Sequence, residues 1–109
     1  MNLQLFPFES TDWSEVEVSE KPGETGFVRS RVRQFGDLRV RMVEYSPGYR
    51  ADHWCAKGHV LLCLAGELHT ELDDGRTIVL KPGMSYQVAD NASRHRSSTA
   101  TGAQLFIVD

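Results

Sequence analysis

From Phe27 onward the chain alternates. Val28, Ser30 and Val32 take one parity, and Arg29, Arg31 and Arg33 take the other. The turn Phe35-Gly-Asp-Leu38 follows, and Leu38, Val40 and Met42 then alternate against Arg39, Arg41 and Val43. A period of two predicts strands with one face in a core and the other toward solvent or a partner. Ser46-Pro-Gly48 ends the second strand. Val60 to Leu64 is apolar at every position, as expected of a strand buried on both faces, and Leu68 to Leu72 resumes after Ala65-Gly66-Glu67.

Asp73-Asp-Gly75 is a hairpin signal, with Thr77 to Leu80 as the returning strand. Lys81-Pro-Gly83 turns the chain again toward Tyr86 and Val88. Asp90 to Arg94 is a polar loop, and Ala103 to Val108 is a last apolar strand. Eight or so short strands at turn spacings of roughly 8–12 residues predict an all-β sandwich or barrel. Ser10 to Val18 carries helix-capping residues but is rich in acidic and β-branched side chains, and the pattern assigns it no element.

The 109 residues suit one domain, 1–109, with a core over about 27–108 and an N-terminal arm over 1–26. With 40% hydrophobic and 25% charged residues the composition is globular, which excludes collagenous and disordered classes. No run reaches the ~18 apolar residues of a membrane helix, and Met1 to Phe8 lacks the basic start of a signal peptide. A cytoplasmic protein with no membrane partner is expected. The net charge of −3 argues against nucleic acid as a partner. Charge is uneven all the same: Arg29, Arg31, Arg33, Arg39 and Arg41 crowd one stretch, which suits a solvated strand face, a dimer contact or an anion site. Cys55 and Cys63 could form one disulfide, but without an export signal two free thiols are expected.

Candidate chemistry concentrates in His53, Cys55 and His59, three donors within seven residues. On an extended strand positions 53 and 55 share a face, about 6–7 Å apart. Imidazole and thiolate suit zinc, copper, nickel or ferrous iron better than magnesium or calcium. His95 lies far along the chain, where a β-barrel could return it to the same site. His69 reads as a solvent-facing strand residue, and Cys63 as a small buried hydrophobe. Trp54 alternates away from the proposed site. Asp52 could steady a ligand imidazole or cap a turn. Parity does not decide whether Tyr86 faces the cavity.

Gly48-Tyr-Arg-Ala-Asp-His53-Trp-Cys55-Ala-Lys-Gly-His59, followed by six residues and Gly66, resembles the first motif of the cupin superfamily. In that family the motif reads glycine, five residues, His-x-His, three or four residues, glutamate, six residues, glycine. The Pro82-Gly83 turn and the late His95 resemble the second motif, and Asp52-His-Trp-Cys55 resembles a subfamily named for a DHCW motif. The resemblance implies a single-domain cupin-type jelly-roll β-barrel. It also implies a site of His53, Cys55, His59 and His95 holding one divalent transition metal: zinc first, then iron, nickel or copper. Cys55 stands where the family's second histidine would be, and His59 where its glutamate would be, so manganese chemistry that needs the carboxylate is not implied.

Small cupins further imply a homodimer, with Leu3 to Phe8 as a segment that could swap, and a small-molecule ligand in the barrel cavity. The expected function is a metal-binding cupin, a metal-dependent enzyme on a small molecule if the site is catalytic. The alternative is a metal-free or structural-metal cupin that binds or senses a ligand without catalysis.

Overall fold

The computed structural model describes residues 6–109. The Leu3 to Phe8 segment thus lies partly outside the described residues. Nine strands follow in chain order: β1 (Ser19–Pro22), β2 (Phe27–Phe35), β3 (Leu38–Tyr45), β4 (His59–Gly66), β5 (Leu68–Leu72), β6 (Thr77–Leu80), β7 (Ser85–Val88), β8 (His95–Ser98) and β9 (Ala103–Val108). They form a six-stranded sheet in the order β1-β2-β3-β9-β4-β7 and a three-stranded sheet in the order β6-β5-β8. Every named pairing is antiparallel. The all-β expectation holds, with strand bounds close to those read from the turns.

The arm adds structure that alternation did not predict. A single 3₁₀ turn spans Trp13–Glu15, capped by Asp12, whose carboxylate accepts the Ser14 N–H at 3.0 Å. Strand β1 then pairs with β2. Three of the five arginines serve the arm on the outer face. Arg29 meets Glu20 at 2.9 Å, and Arg33 meets Glu9 at 3.3 Å. Arg31 donates to the carbonyls of Trp13 at 2.9 Å and Val16 at 2.7 Å.

One apolar core joins the sheets: Val43, Leu61, Cys63, Leu105 and Ile107 from the larger, Leu68 and Leu80 from the smaller, all under 5% exposed. Cys63 is fully buried, as its sequence neighbourhood predicts. Strand β4 departs from expectation, however. Leu61 and Cys63 are buried, while Val60 and Leu64 are about two-fifths exposed, so only one face of this apolar run enters the core. Gly66 follows a register shift between Cys63 and Ala65 at φ +77°, with Gly102 so close that a β-carbon would strike its carbonyl.

The core occupies one end of the sandwich because three neighbouring strands change character together. On β3 the inward parity runs Tyr45, Val43, Arg41, Arg39. On β4 it runs Cys63, Leu61, His59. On β9 it runs Ala103, Leu105, Ile107 and continues to Asp109. Pairing aligns these rows, with Arg41 opposite Ile107 and Leu61 opposite Ile107 on the other side. The apolar halves meet at one end and the polar halves at the other. That polar end is a cavity of about 290 Å³.

Candidate functional site

Residues 51–58 form an irregular loop rather than the extended strand their parity suggested. The loop touches β8 through Cys55, whose N–H donates to the His95 carbonyl at 2.8 Å while the His95 N–H donates back at 3.0 Å. This doubly bonded pair fixes residue 55 beside residue 95 despite forty residues of separation. His59 opens β4, directly after Gly58, where a β-carbon would collide with the Ala89–Asp90 backbone. The Gly58 N–H also donates to the Asp90 carboxylate at 2.6 Å, holding the loop against the end of β7.

His59 and His95 come together. Their rings stand edge to face with centroids 4.9 Å apart and planes at 73°. Nδ1 of His95 lies 3.0 Å from the Ser93 carbonyl, which can only accept, so Nδ1 carries the proton. Nε2 of His95 is then a bare lone pair, buried and without a partner. A buried acceptor with no donor is costly and uncommon, and a ring held at one nitrogen by a carbonyl is how proteins present the other nitrogen to a metal.

His59 accepts the Tyr86 hydroxyl at Nε2, 2.9 Å away, in the tautomer its surroundings favour. Its Nδ1, buried and unbonded, faces the Asp109 carboxylate at 3.7 Å. Burial, the His95 ring and the charges of Arg41 and Arg39 push the His59 pKa down to about 4, with Asp109 opposing them. His59 is therefore neutral at pH 7, with its one lone pair at Nε2 held by Tyr86 and free for a ligand only when that hydrogen bond is released. Burial raises the Tyr86 phenol, which keeps its proton for this hydrogen bond.

Asp109 lies between Arg39 and His59 because β9 runs between β3 and β4. Its side chain is 1% exposed and takes Arg39 at both oxygens, 2.8 and 3.0 Å, with Arg41 at 3.1 Å. Burial raises its pKa, but the Arg39 hydrogen bond and the charges of Arg41, Arg39 and His59 outweigh it and hold the carboxyl below its usual range.

Cys55 lines the same cavity as His59 and His95, with an unpaired thiol, as is Cys63 elsewhere. His53 stays at the rim, its side chain 76% exposed and its Nδ1 2.6 Å from Asp52. Of the two roles expected for Asp52, the contact with an imidazole is the one observed. Among the described residues, no three His, Cys, Asp or Glu side chains are grouped closely enough to hold a metal ion as they stand. Trp54 lies outside as expected, under the Arg96 guanidinium at 4.9 Å, whereas His69, expected to face solvent, is half-buried and meets Glu67 at 2.8 Å.

Asp109 is the polar residue that sequence reasoning missed, and Arg39 and Arg41 were read only as part of one arginine stretch. Their signal was parity: Arg41 shares a face with Val43 and Tyr45, and Asp109 with Leu105 and Ile107. The expected arginine stripe is thus two groups, one outside holding the arm and one inside.

No protein-family model matches the chain, and no curated protein is similar to it in sequence. Solved structures are similar to it in fold. An RmlC-like cupin from Shewanella frigidimarina superposes with a TM-score of 0.71 at 21% identity, over 94% of this chain and 89% of that one. A predicted oxalate decarboxylase from Thermotoga maritima gives 0.77 at 15% identity, over 92% and 96%. The Fe(II) form of HppE with an alternative substrate gives 0.76 at 14% identity, over 94% of this chain but 60% of that longer one. No helix among the described residues is long and apolar enough to cross a membrane. Two antiparallel sheets around one core, a polar cavity at one end and these superpositions together give the chain the cupin fold.

Proposed function

We propose that this chain is a single-domain metal-binding cupin whose cavity takes a small molecule, with His95 as the anchoring ligand. The observation that carries this is the buried Nε2 of His95, a lone pair without a donor in a ring already fixed by Ser93. His59 is the second ligand, neutral at pH 7 and in contact with His95. Cys55 and His53 complete the set, Cys55 from the cavity wall and His53 from the rim after a turn of its side chain. Imidazoles with a thiol suit zinc first, then iron, nickel or copper. A bound ion would supply a Lewis acid to an oxygen of the cavity's ligand. Asp52 would orient His53, Ser93 would hold His95 in its tautomer, and Tyr86 would release or keep the hydrogen bond that positions His59. A cytoplasmic setting accords with two unpaired thiols.

A second reading, a metal-free ligand-binding cupin, is favoured by Arg39 and Arg41 beside His59, since two guanidiniums oppose a cation there. Cobalt(II) titration of the chelator-treated protein separates the two. Tetrahedral d–d bands with a thiolate charge-transfer band, the latter lost in Cys55→Ser, are the result expected of the metal centre. The spectrum of free hexaaqua cobalt throughout the titration would favour the metal-free reading.

A further inference from the structure

The cavity wall has a charge that a metal site alone does not account for. Among the described residues it is lined by Lys21, Arg39, Arg41 and Arg96 and by no carboxylate. Asp109 touches Arg39 and Arg41 but lies outside the lining, and it is one negative charge against two positive ones. Arg39 takes both of its oxygens. Arg41 is left with a single bond, from Nη2, and its Nε is buried with no partner. A guanidinium that is mostly shielded from water and half-satisfied is destabilising unless an anion completes it.

The rest of the wall limits what that anion is. Val28, Val32, Val43, Leu61 and Ile107 line the same cavity, so the occupant has an apolar body beside its charge. The volume of about 290 Å³ leaves room for a short organic acid. The planar fork of a guanidinium matches a carboxylate.

We infer that the cavity binds small organic carboxylates, with Arg41 as the residue that receives the carboxylate. This rests on the small-molecule cavity proposed above and not on its metal. Arg41 then discriminates by charge: a neutral amide of the same shape offers one carbonyl acceptor and no charge where a carboxylate offers two charged oxygens to the fork.

Calorimetric titration of chelator-treated protein tests it, using malonate, succinate, glutarate, their diamides and inorganic phosphate as probes. At least one dicarboxylate is expected to bind about tenfold or more tighter than its diamide. Arg41→Gln is expected to weaken that binding about tenfold or more, with folding checked by near-ultraviolet circular dichroism. Arg41→Lys replaces it if the glutamine variant does not fold, and loss of the fork is expected to weaken binding there as well. Equal binding of acid and amide, no binding of any acid, a folded variant that binds unchanged, or phosphate binding tighter than every carboxylate would each overturn the inference. Carboxylate binding by a protein that takes up no metal upholds it while removing the metal reading. Metal uptake without discrimination between acid and amide overturns it alone.

Discussion

His59 and His95 meet edge to face at 4.9 Å, and each keeps one ring nitrogen buried without a hydrogen bond. Neither residue is near the other in sequence. β4 delivers the first, and the paired backbone of Cys55 and His95 fixes the second. An unpaired acceptor at His95 Nε2 and an unpaired N–H at His59 Nδ1 are expensive to keep buried in one cavity. Retention of the His95 lone pair is what a ligand at that nitrogen would explain.

The acid side of the stability curve should report His59. Folding lowers its pKa from 6.5 to about 4, so the unfolded chain takes up a proton first as pH falls. The stability gained by keeping the ring neutral is whole above pH 6.5 and is lost progressively down to about pH 4. The loss is on the order of 3 kcal/mol. Urea melts of chelator-treated protein across this range check it. His59→Gln, which cannot titrate, should flatten the slope there, and an unchanged slope would assign it to other groups.

Asp109→Asn should be among the most damaging polar substitutions. It removes the carboxylate that neutralises Arg39 and Arg41 in a setting where Asp109 itself is 1% exposed. Breaking a buried pair from one side costs about 3 kcal/mol. For a domain this size that lowers the melting temperature by more than about 10 °C. In the parent protein the carboxylate's contribution is present above pH 3.8, because its folded pKa is depressed, and disappears as pH falls below that. A melting temperature within 2 °C of the parent's, on the order of what a surface change gives, would show that the two arginines need no counter-charge.

Arg31→Ala should loosen the arm and spare the cavity. The Arg31 guanidinium holds the carbonyls of Trp13 and Val16, and the cavity arginines are on a different face. About 1–2 kcal/mol should be lost. Amide exchange is the sharper readout: protection should fall in residues 13–22 and stay constant in β4 and β9. A uniform fall across all strands would mean that the arm and the core unfold together.

Strand order was hidden in the sequence, but the strands themselves were legible. Turns at Gly36, Gly75 and Gly83 marked their ends, and alternation marked their faces. What alternation could not settle was which face of β3 points inward. Leu38, Val40 and Met42 are the apolar parity, yet Arg39 and Arg41 face the cavity, because their strand continues an inward row set by Val43 and Tyr45. Period-two reasoning assumes that the interior is apolar throughout, and here it changes to polar half-way along. The candidate donors His53, Cys55, His59 and His95 were picked out by type, spacing and the family resemblance. Sequence did not reveal that residues 51–58 leave the strand, which puts His53 on the rim while Cys55 bridges to β8. Asp109 was missed for want of its neighbours: a lone acidic residue after a strand is unremarked until Arg39 and His59 are seen on either side of it.

The most direct test is elemental analysis of untagged protein, beside His95→Ala and His53→Ala, each reconstituted with zinc, iron, nickel and copper and desalted. About one transition ion per chain in the parent, absent from the folded His95 variant and reduced in the His53 variant, is the predicted result. An empty parent after every reconstitution, or a His95 variant that retains its ion, would contradict a metal centre anchored on His95.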